Sequence, residues 1–229
     1  MTPAGGLISL LVGAVLLRLV ATGVYGRYVR LGMGPWLAVA GLAVLVLGSV
    51  TLLRALRHLD PVDTHDHHGR DGGERVGWLL LAPIAALLLV APPTLGSYGV
   101  GRGAQVEIRA GEGVLDPLVP GAEPVPMTLL EFGQRALDRD GASFGGATVQ
   151  LTGFVAGAED GGFRLARYQI ACCAADAAPV VVRVIGGPRV PARDRWVTVT
   201  GVFQPGGGEL PALAATNVVE LPAPNDPYE

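Results

Sequence analysis

The chain has 229 residues, of which 50% are hydrophobic and only 16% charged, with a formal net charge of -3. That balance is more apolar than an ordinary soluble domain, so membrane insertion is the first question it raises. It lacks the basic excess that a polyanion partner requires.

In chain order, uncharged runs extend from Met1 to Leu17, from Leu31 to Leu53 and from Val76 to Gly101. Each is near or above the roughly 20 residues needed to cross a bilayer. These runs predict three transmembrane helices at about 6–25, 35–53 and 77–95 within a membrane domain over 1–96. The first carries Arg18, which can snorkel toward an interface, and it lacks the charged leader of a cleaved signal. The second has Trp36 at one end and Arg54 and Arg57 at the other, the flanks that anchor a span at an interface. The third opens at Trp78 and contains Pro83, a candidate kink. Three crossings would make a multi-pass protein of a cell membrane with its termini on opposite sides. The arginine distribution sets the carboxyl domain outside the cytoplasm only weakly.

A Gly- and Pro-rich linker is expected over 97–126, followed by a β domain over 127–229. Thr128 and Glu131 have capping-box spacing ahead of a short helix with Leu129, Leu130, Phe132, Ala136 and Leu137 on its apolar face. Strands are expected over Ala147–Val155, Phe163–Ala171, Val180–Ile185, Trp196–Phe203 and around Ala215–Leu221. The similar segments Val149–Gly153 and Val197–Gly201 each end in a glycine where a strand can bend. Strands with such bends suggest a small OB-like barrel, with an open antiparallel sandwich as the alternative. The expected fold class is thus a membrane α-helical region of three spans plus a small all-β, OB-like barrel with one preceding helix.

The two cysteines, Cys172 and Cys173, are adjacent, and Asp176 follows closely. Neighbouring side chains of a regular strand point to opposite faces, so both sulfurs can act together only if the chain turns there. With a turn in Ala174–Pro179, the three residues can gather around a soft or borderline divalent metal such as zinc. Three donors leave a tetrahedral site short of one. A vicinal disulfide or reactive thiol pair is the redox alternative, and a cysteine packed as a small hydrophobe is the structural one. His65, His67 and His68 form a second, separate candidate metal site on a hydrophilic connection, where solvation alone also accounts for them. With three spans the two sites would lie across the membrane from each other.

Phe154, Phe163, Tyr168, Trp196 and Phe203 can stack bases in principle, but from Met127 to Glu229 eight arginines face eleven carboxylates, which argues against nucleic acid. No Walker loop, HExxH or GxGxxG-after-strand pattern is present in the sequence, and no enzyme activity is expected.

Pro92-Pro93-Thr-Leu-Gly-Ser97, Gly153-Phe-Val155, Arg167-Tyr-Gln-Ile-Ala-Cys-Cys-Ala-Ala-Asp-Ala-Ala-Pro179, Trp196-Val-Thr-Val-Thr-Gly201 and Pro224-Asn-Asp-Pro-Tyr228 together resemble the YcgQ-like family of bacterial membrane proteins, which contain domain of unknown function 1980. The resemblance implies a membrane-anchored accessory subunit beside a separate multi-span permease, in contact with membrane lipid, with an OB-like carboxyl domain. It supplies no catalytic residues.

Overall fold

A computed structural model describes residues 3–57, 95–102, 106, 108, 115–187, 190–206 and 208–229. The chain divides into two compact units, Met1–Pro93 and Thr94–Glu229.

In the first unit, uncharged Leu-, Val- and Ala-rich sequence forms α1 (Pro3–Ala21) and α2 (Gly34–Arg57), joined through two short 3-10 turns. α1 stops because the Thr22 hydroxyl donates back to the Arg18 carbonyl (2.9 Å) and Gly23 turns the chain with φ 71°. The two helices meet along glycines spaced by seven, Gly6 and Gly13 on α1 against Gly41 and Gly48 on α2, all buried. The backbones approach so closely that a Cβ on Gly13 would sit 2.8 Å from both the Gly41 carbonyl oxygen and the Leu45 nitrogen. Small residues here let helices pack at short range. The bulky side chains point away instead, with Trp36 70%, Val39 63% and Leu47 66% exposed.

These helices correct the three-span expectation. Among the described residues one helix, within Leu31–Arg57, is long and apolar enough to cross a membrane; the apolar part of α1, Gly5–Ala21, is shorter. The turn at Thr22–Gly23 is the physical reason, because it ends the helix before the apolar run reaches Tyr25. The third expected span, 77–95, lies almost wholly outside the described residues. The multi-pass transmembrane architecture, and with it the multi-pass permease-subunit topology and the cell-membrane placement drawn from it, is therefore not what the described chain supports.

In the second unit, a short helix α3 (Leu129–Leu137) precedes most of a six-stranded sheet. Its strands are β1 (Val125–Pro126), β2 (Val149–Glu159), β3 (Gly162–Gln169), β4 (Ala178–Ile185), β5 (Trp196–Gln204) and β6 (Ala212–Leu221). The order is β1-β2-β3-β4-β6-β5, and β2 also pairs antiparallel with β5. This six-stranded mixed sheet replaces the OB-like barrel of four or five strands expected from the sequence. Two parallel pairings, β1 with β2 and β4 with β6, join segments distant in the chain and leave no trace in local alternation.

Both faces of the sheet are covered. Val149, Leu151, Phe163, Leu165, Val180, Val182, Val184, Val197 and Val199 pack on one side with Leu129 and Phe132 of α3. Phe154, Ala166, Tyr168, Val181 and Trp196 pack on the other with Tyr228. The bend expected near Gly201 is a register shift between Thr200 and Gly201, and a Cβ on Gly201 would run into the Ala214 carbonyl oxygen.

The ends of this unit are pinned by polar contacts. Thr128 Oγ1 accepts from the Glu131 N–H (3.0 Å), capping α3 as expected, while Glu131 itself pairs with Arg135 (3.0 Å). The helix's first amides, Leu129 and Leu130, donate to the Glu229 carboxylate at 2.9 and 3.4 Å. Arg167 Nη2 donates to the carbonyls of Asp226 (2.9 Å) and Tyr228 (3.0 Å), clasping the last residues to the sheet. Near the other end, the Ser97 N–H donates to Asp194 Oδ1 (2.6 Å) and the Tyr168 hydroxyl to the Gly96 carbonyl (2.9 Å).

Candidate metal centre

β3 and β4 run antiparallel and pair as far as Gln169 with Ala178. The cysteines lie in the connection between these two residues. Ile170 is still buried, and its N–H reaches the Glu229 carbonyl at 3.4 Å. The chain then bends outward at Ala171 and Cys172, passes through Cys173 in an extended conformation (φ -156°, ψ 170°), and closes in a 3-10 turn over Ala174–Asp176.

Asp176 organises this loop. Its Oδ1 accepts from the Ala171 N–H (2.8 Å), and its Oδ2 from the N–H groups of Cys172 (2.9 Å) and Cys173 (3.3 Å). In return the Asp176 N–H donates to the Cys173 carbonyl (3.0 Å) and to the Cys173 sulfur, a reciprocal cap. Ordinary strand geometry would send the two sulfurs to opposite faces. The turn brings them to 3.5 Å from each other.

Cys172 is exposed and Cys173 half-buried, and neither is in a disulfide. One ligand atom from each of Cys172, Cys173 and Asp176 lies within 4.8 Å of the others, the sole such group of three or more among the described residues. The Cys172 thiol is pushed up to about 12, chiefly by its hydrogen bond to the Asp176 carboxylate and next by that to Cys173. The same contact with Cys172, followed by the backbone donors of Cys172 and Ala171, holds Asp176 down at about 2. The thiol thus keeps its proton and donates it in a hydrogen bond to the ionised carboxylate. A thiol held protonated in this way is a weak nucleophile at neutral pH.

His65, His67 and His68 lie outside the described residues. The across-the-membrane separation expected between them and the cysteines rested on three spans and falls with that topology. A cleft of about 600 Å³ is lined in part by Ile108, Leu137, Asp140, Phe203 and Leu210, and none of the three loop residues lines it. Arg167 and Glu229, which fasten the base of the loop, were missed by sequence reasoning because their partners lie about 60 and 100 positions away.

A β domain carrying a surface dithiol–carboxylate loop is what this geometry defines. Residues 134–229 match the family model described as the DUF1980 C-terminal domain, so such a domain is present in the chain, and it includes the whole loop. No curated protein matches the chain.

Proposed function

We propose that the loop Ala171–Asp176 binds a soft or borderline divalent metal ion such as zinc, and that the domain works by binding rather than by catalysis. The observation that carries this reading is the gathering of two sulfurs and a carboxylate within 4.8 Å on an exposed turn. Two thiolates with an oxygen donor form a zinc-type ligand set, and two or three protein ligands leave at least one tetrahedral position for water or cargo. That is the composition of an exchange site more than of a closed structural one.

Geometry weighs against the redox alternative. Adjacent residues across a trans peptide have Cα atoms about 3.8 Å apart, whereas disulfides ordinarily span about 4.4–6.8 Å. A bridge between Cys172 and Cys173 would be strained and easily reduced. The raised Cys172 thiol points the same way.

The accessory role beside a multi-span partner is carried by the resemblance to YcgQ-like proteins. The exposed apolar side chains of α2, Val39, Leu42, Val46 and Leu47 among them, suit lipid or an apolar protein surface. The acidic balance of the β domain offers nucleic acid no groove.

Metal content after purification, measured by mass spectrometry for wild type and a Cys172→Ser, Cys173→Ser double variant, tests the binding role. Wild type should retain about one equivalent of a divalent ion and the variant almost none. Equal content in the two proteins would refute the reading.

A further inference from the structure

The spacing of the sulfurs restricts which ions they can hold together. With metal–sulfur bonds of about 2.3 Å, a tetrahedral ion asks for sulfurs about 3.8 Å apart and a linear two-coordinate ion for about 4.6 Å, the sum of the two bonds. The observed separation is 3.5 Å. At that separation the sulfur–metal–sulfur angle is about 100°, close to tetrahedral and far from linear.

The loop resists widening. The Cys173 sulfur accepts the Asp176 N–H, and the backbones of Cys172 and Cys173 are both tied to Asp176 Oδ2. Spreading the sulfurs by about 1 Å for a linear ion would part the Cys172 and Cys173 sulfurs and, where Cys173 moves, its bond from the Asp176 N–H. The carboxylate is already occupied by three loop amides, which suits it to holding the loop's shape.

We propose, resting on the metal-binding reading above, that the loop is a bent dithiolate clamp that chelates divalent ions of tetrahedral preference through both sulfurs but does not chelate monovalent soft ions of linear preference, with Asp176 as its positioning residue. On binding, two metal–sulfur bonds form as two thiol protons leave to solvent, and no electron is transferred.

Cd2+ and Ag+, as probes of the two geometries, can be titrated into the purified full chain against a competing chelator. Wild type is compared with Cys172→Ser and Cys173→Ser. Chelation makes the second sulfur act at high effective concentration, so loss of either cysteine should weaken Cd2+ about 100-fold or more and Ag+ by less than about tenfold. An Ag+ loss as large as that for Cd2+ would overturn the clamp, as would a Cd2+ loss under about tenfold. Failure of wild type to bind Cd2+ at all would instead overturn the metal reading beneath it. Asp176→Ala should weaken Cd2+ binding, and Asp176→Asn, which keeps one of the two oxygens that accept the loop amides, should restore part of it. Equal losses in those two variants would make the carboxylate a ligand and end its positioning role.

Discussion

The two units handle apolar sequence in opposite ways. In the β domain the large side chains are inside, with Phe132, Leu151, Leu165 and Val182 at 0% exposure, and the chain pays for ordering them by removing them from water. In the helix pair the glycines are inside and the large side chains outside, with Leu47 66% and Trp36 70% exposed. Apolar sequence therefore makes a closed core in one unit and an exposed apolar surface on the described helices of the other.

The sharpest way to break this comparison is truncation. Phe132→Ala should cost about 3–5 kcal/mol in denaturant unfolding of the β domain. Leu47→Ala should change stability by no more than about 0.5 kcal/mol. Similar costs at both positions would erase the distinction. Within the helix pair, Gly13→Leu should destabilise by about 1–3 kcal/mol, read as a lower helix melting temperature, because its side chain meets α2 backbone at 2.8 Å. An unchanged melting temperature would mean that the glycine contact is not what holds the pair together.

Two smaller effects concern the β domain's polar fastenings. Asp176→Asn removes the carboxylate whose hydrogen bond, ahead of its charge, pushes the Cys172 thiol up to about 12. Alkylation of Cys172 at pH 8 in metal-stripped protein should then speed up about 10- to 30-fold, the gain in thiolate being partly offset by its lower intrinsic nucleophilicity. Slower alkylation would contradict that role for Asp176. The smallest effect is at Glu229, whose carboxyl is raised by burial against the lowering effect of the Leu129 amide, Arg167 and the Leu130 amide. A raised acid contributes stability below its unfolded pKa and loses it as pH climbs through the folded value. Wild type should therefore lose a little stability as pH rises above the ordinary glutamate range, and Glu229→Gln should flatten that slope. A wild-type gain over the same window would reverse the assignment.

How far the sequence reveals this molecule depends on the range of each contact. β2 to β6 are visible as β-branched runs such as Val149-Gln-Leu and Val197-Thr-Val. β1 is hidden, since Val125–Pro126 is two residues long, contains a proline and is parallel to a strand more than twenty residues on. The clasp of Arg167 on Asp226 and Tyr228, and the cap that Glu229 places on α3, are equally long-range and equally silent. Hydropathy also misjudged α1, because a continuous apolar run does not show that Thr22 and Gly23 end the helix. The seven-residue spacing of Gly6 and Gly13, repeated in Gly34, Gly41 and Gly48, is the signal that would have paired the helices. The cysteine loop is the most local feature and the most legible: adjacency, a following turn and a nearby carboxylate all stand within Cys172–Asp176. What no spacing conveys is that Asp176 holds three amides as well as facing the sulfurs.

The central claim is that both sulfurs of one loop hold one metal ion. X-ray absorption at the zinc edge on the full chain loaded with one equivalent of Zn2+ tests it most directly. The expected spectrum has two sulfur ligands at about 2.3 Å, with oxygen or nitrogen completing the shell. A shell containing no sulfur, or one built from four, would contradict a site made by Cys172 and Cys173 of a single chain.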